Sequence, residues 1–154
     1  MAADLYQATA GLGPGELIEL APAQRPPVPP GCLLAEFGMV LTHVGRGRSR
    51  AQMPVTARQL NQRGVVQAGA LVAFADAAAG WAAYTALEDG GFTTLDLHCS
   101  LLRAAAAGDQ LIADAAPVHL GRRTLVFEVD VYRPDAPARP VARFGCTQLV
   151  LAAS

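Results

Sequence analysis

Lysine is absent from this chain of 154 residues, so all 12 cationic side chains are arginine. Charge of either sign is scarce, at 16% of residues, well under the usual share for a soluble domain. The formal net charge of −1 leaves no basic footprint for a phosphate backbone and argues against a nucleic-acid partner. A surface this poor in charge is expected to be partly covered in an assembly. Cysteine is also sparse. Cys32, Cys99 and Cys146 are far apart and in no CxxC or Cys/His spacing, which reads as buried thiols in a reducing compartment. No basic start followed by an apolar core and cleavage site opens the chain, so the expected location is cytoplasmic. Phosphate-loop, GxGxxG and HExxH patterns are missing, and no metal is expected.

One long apolar run is present. From Val65 to Leu87 the only charge is Asp76. The length would suffice for a membrane span. Yet the run is rich in alanine and glycine, and an aspartate near the bilayer centre costs about 3 kcal/mol. A buried helix fits better, with no membrane partner.

Around that run the chain divides at residue 32. Residues 1–31 read as an N-terminal extension, with a short helix near Asp4–Ala10 and a proline-rich arm, "PAQRPPVPP", that can be neither helix nor central strand. Residues 32–154 read as one domain. "LLAEFGMVLTHVG" and "RSRAQMPVTA" predict two strands joined by the turn at Gly45–Gly47. A helix over roughly Gln67–Glu88 follows, stopped by "DGG". "FTTLDLHCSLLR", "DQLIADAAPVHL", "RTLVFEVDVY" and "PVARFGCTQLVL" predict four more strands. Two strands, one long helix and four strands make an α+β pattern with a mostly antiparallel sheet.

At 100° per residue, Leu71, Phe74, Ala78 and Trp81 share one stripe of the helix, suited to a sheet's hollow. Asp76 lies roughly opposite, among Gly69, Val72, Ala73, Ala79, Gly80 and Ala83, which leave room for a backbone or a slender ligand. An unpartnered buried carboxylate is expensive, so Asp76 either pairs with an arginine across an interface or works. The segment in front favours work. "NQRG" at Asn61–Gly64 signals a turn, and Gln67, Ala68 and Gly69 sit where the helix begins. Unpaired N–H groups there can hold a developing oxyanion while the carboxylate two turns along acts on the same carbon.

The run Asn61-x-x-Gly64-x-x-Gln67-Ala68-Gly69, with Asp76 after six further residues, resembles the hotdog-fold thioesterases of the phenylacetate-degradation (PaaI-like) type. The resemblance covers about 34 to 152. It implies a six-stranded antiparallel sheet wrapped round one central helix, in homodimers joined edge to edge and often paired into homotetramers, with the active site at the dimer interface. It implies that Asp76 activates water or attacks the thioester, and that the Ala68 N–H, with Gly69, forms the oxyanion hole. It further implies that Asn61 helps place water or substrate, and that Thr94 positions the water across the interface. Two positions depart from the family's pattern: Gln67-Ala68 replaces His-Gly. Gln67 can donate but cannot titrate near neutral pH. Ala68 serves only if the backbone there is ordinary right-handed helix.

The remaining candidates are Ala73 and Gly80, as small residues on the substrate face, and Arg103, Arg122 and Arg123, as partners for coenzyme A phosphates. His43, His98 and His119 read as structural. The reading is therefore an acyl-CoA thioesterase acting on aromatic or short- to medium-chain acyl groups, with no cofactor beyond the coenzyme A of its substrate. Its rivals are a silent acyl-CoA-binding hotdog module and a hotdog dehydratase. The latter would need a histidine that the helix motif lacks.

Overall fold

The structure is a computed structural model that describes residues 2–152. Strands β2 (Val40–Gly45), β3 (Arg48–Pro54), β4 (Gly91–Leu101), β5 (Gln110–Leu120), β6 (Thr124–Tyr132) and β7 (Ala142–Leu151) form one antiparallel sheet. A seventh strand, β1 (Ile18–Glu19), pairs with β2, so the spatial order is β1-β2-β3-β5-β6-β7-β4. The expected count of six thus becomes seven, because two residues of the N-terminal extension find free backbone partners on the β2 edge.

The sheet curls around α3 (Ala68–Ala86), which begins one residue after the expected start and ends two before the expected end. Leu71, Phe74, Ala78 and Trp81 are all buried in the hollow. Facing them are Leu111 and Ala113 of β5 and Phe127 and Val129 of β6. Small residues let the helix come close. Ala51 lies opposite Ala113, Ser49 lies opposite Ala115, and the Ser49 hydroxyl donates to the Ala78 carbonyl at 2.7 Å. Among the described residues no helix is long and apolar enough to cross a membrane.

The expected strand over Leu33–Gly45 is only half strand. Leu33–Glu36 forms a one-turn helix, α2, and the strand starts at Val40. Leucine, alanine and glutamate are good helix formers. Gly38, at φ +63°, closes the turn, with the Met39 N–H donating back to Leu34. The β2–β3 turn uses Gly47 at φ +65°, as the glycine-rich signal requires.

The extension before Cys32 lies against the domain. Helix α1 (Ala2–Thr9) packs on α3, and the buried Thr9 hydroxyl donates to the Leu5 carbonyl and, at 3.4 Å, to that of Thr85. The proline arm opens with a 3-10 turn at Pro22–Gln24 and joins α1 around a cavity of about 560 Å³.

Phe74 fills the middle of the helix–sheet interface and is wholly buried. Phe74→Ala is expected to lower stability by about 3–5 kcal/mol in denaturant unfolding. A loss under about 1 kcal/mol would contradict this packing.

Candidate active site

Asp76 sits in the middle of α3, partly exposed. The residues of α3 that keep some exposure around it are Gly69, Val72, Ala73, Ala77 and Gly80. They recur at three- and four-residue spacing and make one open stripe. Ala79 and Ala83, expected on this face, are buried, because the sheet and α1 wrap more than half of the helix. Gly80 is at the covered end: a Cβ there would meet the Phe92 ring at 3.4 Å, and Phe92 packs edge-on against Tyr84 with centroids 4.9 Å apart. The open face therefore runs from Gly69 to Ala77 and stops at Phe92.

Thr94 on β4 reaches across and donates its hydroxyl proton to Asp76 Oδ1 at 2.8 Å. The resemblance implies that Thr94 positions water across the interface; within its own chain its hydroxyl is bonded to the carboxylate. A β-bulge between Thr94 and Asp96 makes this possible. Before the bulge Phe92 and Thr94 face the helix. After it Leu97, Cys99 and Leu101 share that side of the sheet, with Cys99 exposed rather than buried as expected, so the extra residue Leu95 re-aims the strand beside the carboxylate.

Gln67 is the N-cap of α3 in an extended conformation, and its exposed carboxamide makes no capping bond. Ala68 is the first helical residue, and no non-glycine residue among those described has positive φ. The condition for alanine in place of glycine is met. A Cβ at Gly69 would meet nothing within 4 Å, so the space before the first turn is open. The N–H groups of Ala68 and Gly69 have no partner within the helix, as first-turn donors never do.

Asn61 shapes the approach to that turn. Its Oδ1 accepts from the N–H of Arg63 at 2.8 Å and of Val65 at 3.4 Å, a side-chain-closed turn. Asn61 is thus tied to the loop, with its Nδ2 donors left over. The arginines do not converge. Arg103 follows the far end of β4 and donates to the Pro140 carbonyl at 2.7 Å. Arg122 and Arg123 are exposed at the β5–β6 turn, at the sheet end nearest the Thr94 row, where the Val150 N–H donates to the Arg123 carbonyl. The histidines are elsewhere: His43 contacts the Thr42 hydroxyl and His98 contacts Asp96.

One geometric expectation fails. Ala68 and Asp76 are eight residues apart in one helix, about 12 Å at 1.5 Å per residue. The first-turn N–H groups also point away from Asp76, along the axis. A single carbonyl cannot touch both within one chain.

One residue behind Thr94 escaped the sequence reading, Gln148 on β7; beside it lies Cys146, the expected buried thiol. Both are buried, at inward positions of β7, where their neighbours Phe144 and Val150 are apolar. The signal was there in "RFGCTQLVL": a glutamine in phase with the apolar positions. Burial, then the negative charges of Asp76 and Asp96, pushes the Cys146 thiol up to about 11, while the Gln148 amide pulls the other way. At pH 8.5 Cys146 is therefore expected to stay protonated and to resist iodoacetamide in the native protein, reacting only on unfolding. Peptide mass spectrometry reads this out, and ready native alkylation of Cys146 would contradict it. Among the described residues no cluster of His, Cys, Asp and Glu is fit to hold a metal.

Known proteins share this architecture. Residues 63–137, from the turn before α3 through β6, match the model of the thioesterase superfamily. A "Putative esterase" of Deinococcus radiodurans is 32% identical over 116 residues, 75% of this chain and 77% of that protein. The proofreading thioesterase EntH of Cronobacter sakazakii is 30% identical over 103 residues, 66% of this chain and 74% of that one. A variant of the phenylacetic acid degradation protein PaaI of Thermus thermophilus superposes with a TM-score of 0.70 at 29% identity, covering 77% of this chain and 97% of that one. Identity at this level, spread over the same helix-in-sheet architecture, marks descent from a common fold. The chain therefore belongs to the thioesterase superfamily, hydrolases of thioester bonds with the hotdog fold.

Proposed function

We propose that the protein is an acyl-coenzyme A thioesterase whose active site is shared by two chains of a homodimer. The observation that carries this is Asp76, half-open on a face of small residues and held by Thr94, too far along α3 from the helix's own N–H donors for one chain to finish the site. A partner helix lying antiparallel supplies those donors.

The β4 edge supports that assembly. Eleven residues long and unpaired on one side, it carries Leu95 and Leu101 more than half exposed. A long unpaired edge of this kind is a template for strand pairing. A two-fold axis beside it joins two β4 strands antiparallel and sets the two α3 helices side by side. Exposed Val118 and Leu120 on β5 suit a second pairing into a homotetramer.

In the reaction a water between Asp76 and the thioester carbon gives a proton to the carboxylate as its oxygen bonds to the carbon. The carbonyl oxygen becomes an oxyanion held by the N–H groups of the partner subunit's Ala68 and the partner subunit's Gly69. The tetrahedral intermediate collapses, the C–S bond breaks, and the proton on Asp76 passes to the departing coenzyme A thiolate. Thr94 holds Oδ1 so that Oδ2 meets the water.

The acyl group lies along the stripe from Gly69 to Ala77, with Leu97, Cys99 and Leu101 as the far wall. Phe92 over Gly80 ends the space, which favours aromatic and short to medium acyl chains. PaaI of Thermus thermophilus, by its name a phenylacetic acid degradation protein, agrees with a small aromatic acyl group. Arg122 and Arg123, exposed and unencumbered by salt bridges among the described residues, are the better candidates for coenzyme A phosphates; Arg103 is engaged with Pro140. The expected place of action is the cytoplasm. The Thr94-held carboxylate favours a hydrolase over a silent acyl-CoA binder.

Thiol release from phenylacetyl-, benzoyl-, short- and medium-chain acyl-CoA tests this. Asp76→Asn is expected to lower kcat by about 10²–10⁴-fold while leaving fold and dimer intact. A fully active Asp76→Asn enzyme, or a wild type that binds acyl-CoA and releases no thiol, would contradict the hydrolase.

A further inference from the structure

Gln148 is an anomaly in a well-satisfied core. Its side chain is completely buried, and neither Nε2 nor Oε1 has a nitrogen or oxygen partner; the one polar group its amide acts on is the Cys146 thiol. A buried polar atom left unpaired is costly, and native cores leave few of them. The other buried glutamine shows the contrast. Gln59 donates to the carbonyls of Phe37 and Pro54 and accepts from the N–H and hydroxyl of Thr56.

The register says what Gln148 faces. In the β7–β4 ladder it is directly opposite Thr94, and in the β6–β7 ladder it is opposite Leu125. Opposite residues of an antiparallel pair project from the same face with Cβ atoms about 4.5–5.5 Å apart, within easy reach of a glutamine. Leu125 offers nothing polar. Thr94 offers an oxygen whose one proton is committed to Asp76 Oδ1 and whose lone pairs are free to accept. Cys146, two residues back on the same face, offers only a weakly accepting sulfur, on which the amide acts as an N–H donor, and Nε2 has a second proton to give. The titratable groups around the carboxamide are Asp76 from α3, Cys146 from β7 and, beyond the bulge on β4, Asp96, whose charge reaches the thiol.

We propose that Gln148 is a positioning residue for Asp76, its Nε2 donating to Thr94 Oγ1 in the assembled enzyme. That bond fixes the threonine hydroxyl, which would otherwise rotate, so that its proton points at Asp76 Oδ1 and Oδ2 is left to take the proton of water. No proton moves through Gln148. The inference rests on the hydrolase reading above and adds to it a residue that touches neither substrate nor water.

Gln148→Met keeps the shape and removes both polar ends. A passive core residue would tolerate the change with turnover intact. A positioning residue is expected to lose about tenfold in kcat, with KM within about twofold and the melting temperature unchanged or raised. In a Thr94→Val background the same substitution is expected to change kcat by less than about twofold, because the route through the hydroxyl is already gone. Unchanged kcat in Gln148→Met, or equal losses in both backgrounds, overturns the proposal. A crystal structure of the wild-type dimer decides independently of turnover and of whether the variant folds. Nε2 within about 3.2 Å of Thr94 Oγ1 sustains the link even if no thioester is hydrolysed and the hydrolase reading falls. Nε2 bonded elsewhere removes the link even if hydrolysis is fast.

Discussion

A carboxylate on an alanine-rich helix that a sheet enwraps must find a face the sheet does not cover, and a partner on that face. Here the curl of the sheet leaves open the stripe from Gly69 to Ala77, and among the described residues the side chain that hydrogen-bonds Asp76 across it is Thr94. Much of the fold follows from holding those two together. The bulge at Leu95 turns β4 so that Thr94 faces the helix. The small row of Ser49, Ala51, Ala113 and Ala115 lets α3 settle deep enough to be met. Phe92, one step earlier on the same face, closes the stripe over Gly80.

The same depth creates an incomplete site. The N–H donors at the start of α3 and the carboxylate at its middle are useful to each other only from different helices, since one helix sets them about 12 Å apart. The unpaired β4 edge is the surface that can bring a second helix alongside. In the proposed dimer, edge strand and split site are two aspects of one arrangement: the strand that carries Thr94 would also carry the contact between chains. In that proposed assembly the low charge of the chain has a reason, since Leu95, Leu101 and part of the stripe would leave water.

Much of this was legible in the sequence, for definable reasons. The inward stripe of Leu71, Phe74, Ala78 and Trp81 follows from helical periodicity, and every member is buried. Ala79 and Ala83 were misplaced because periodicity gives the angle of a residue but not how far a sheet and a second helix wrap round it. Leu33–Glu36 hid in an apolar run, where a single helical turn and a strand look alike until Gly38 is placed at positive φ. That one helix cannot bring its first-turn N–H groups to its own Asp76 was available by arithmetic, since eight residues of helix have a fixed length. The bond from Thr94 within its own chain was not, because a bulge is a tertiary event. Ala68 resolves simply: its helical backbone needs no glycine.

The central claim, that each site draws its carboxylate from one chain and its oxyanion donors from the other, is open to a direct mixing measurement. Asp76→Asn removes the carboxylate. Ala68→Pro removes one donor at the first helical position, where proline is tolerated and the extended Gln67 before it is compatible. Each variant alone is expected to be nearly inactive. Co-refolded in equal amounts, half of the dimers are mixed and each holds one intact site of two, so activity is expected to return to about a quarter of wild type. A mixture no more active than the variants themselves would contradict the shared site.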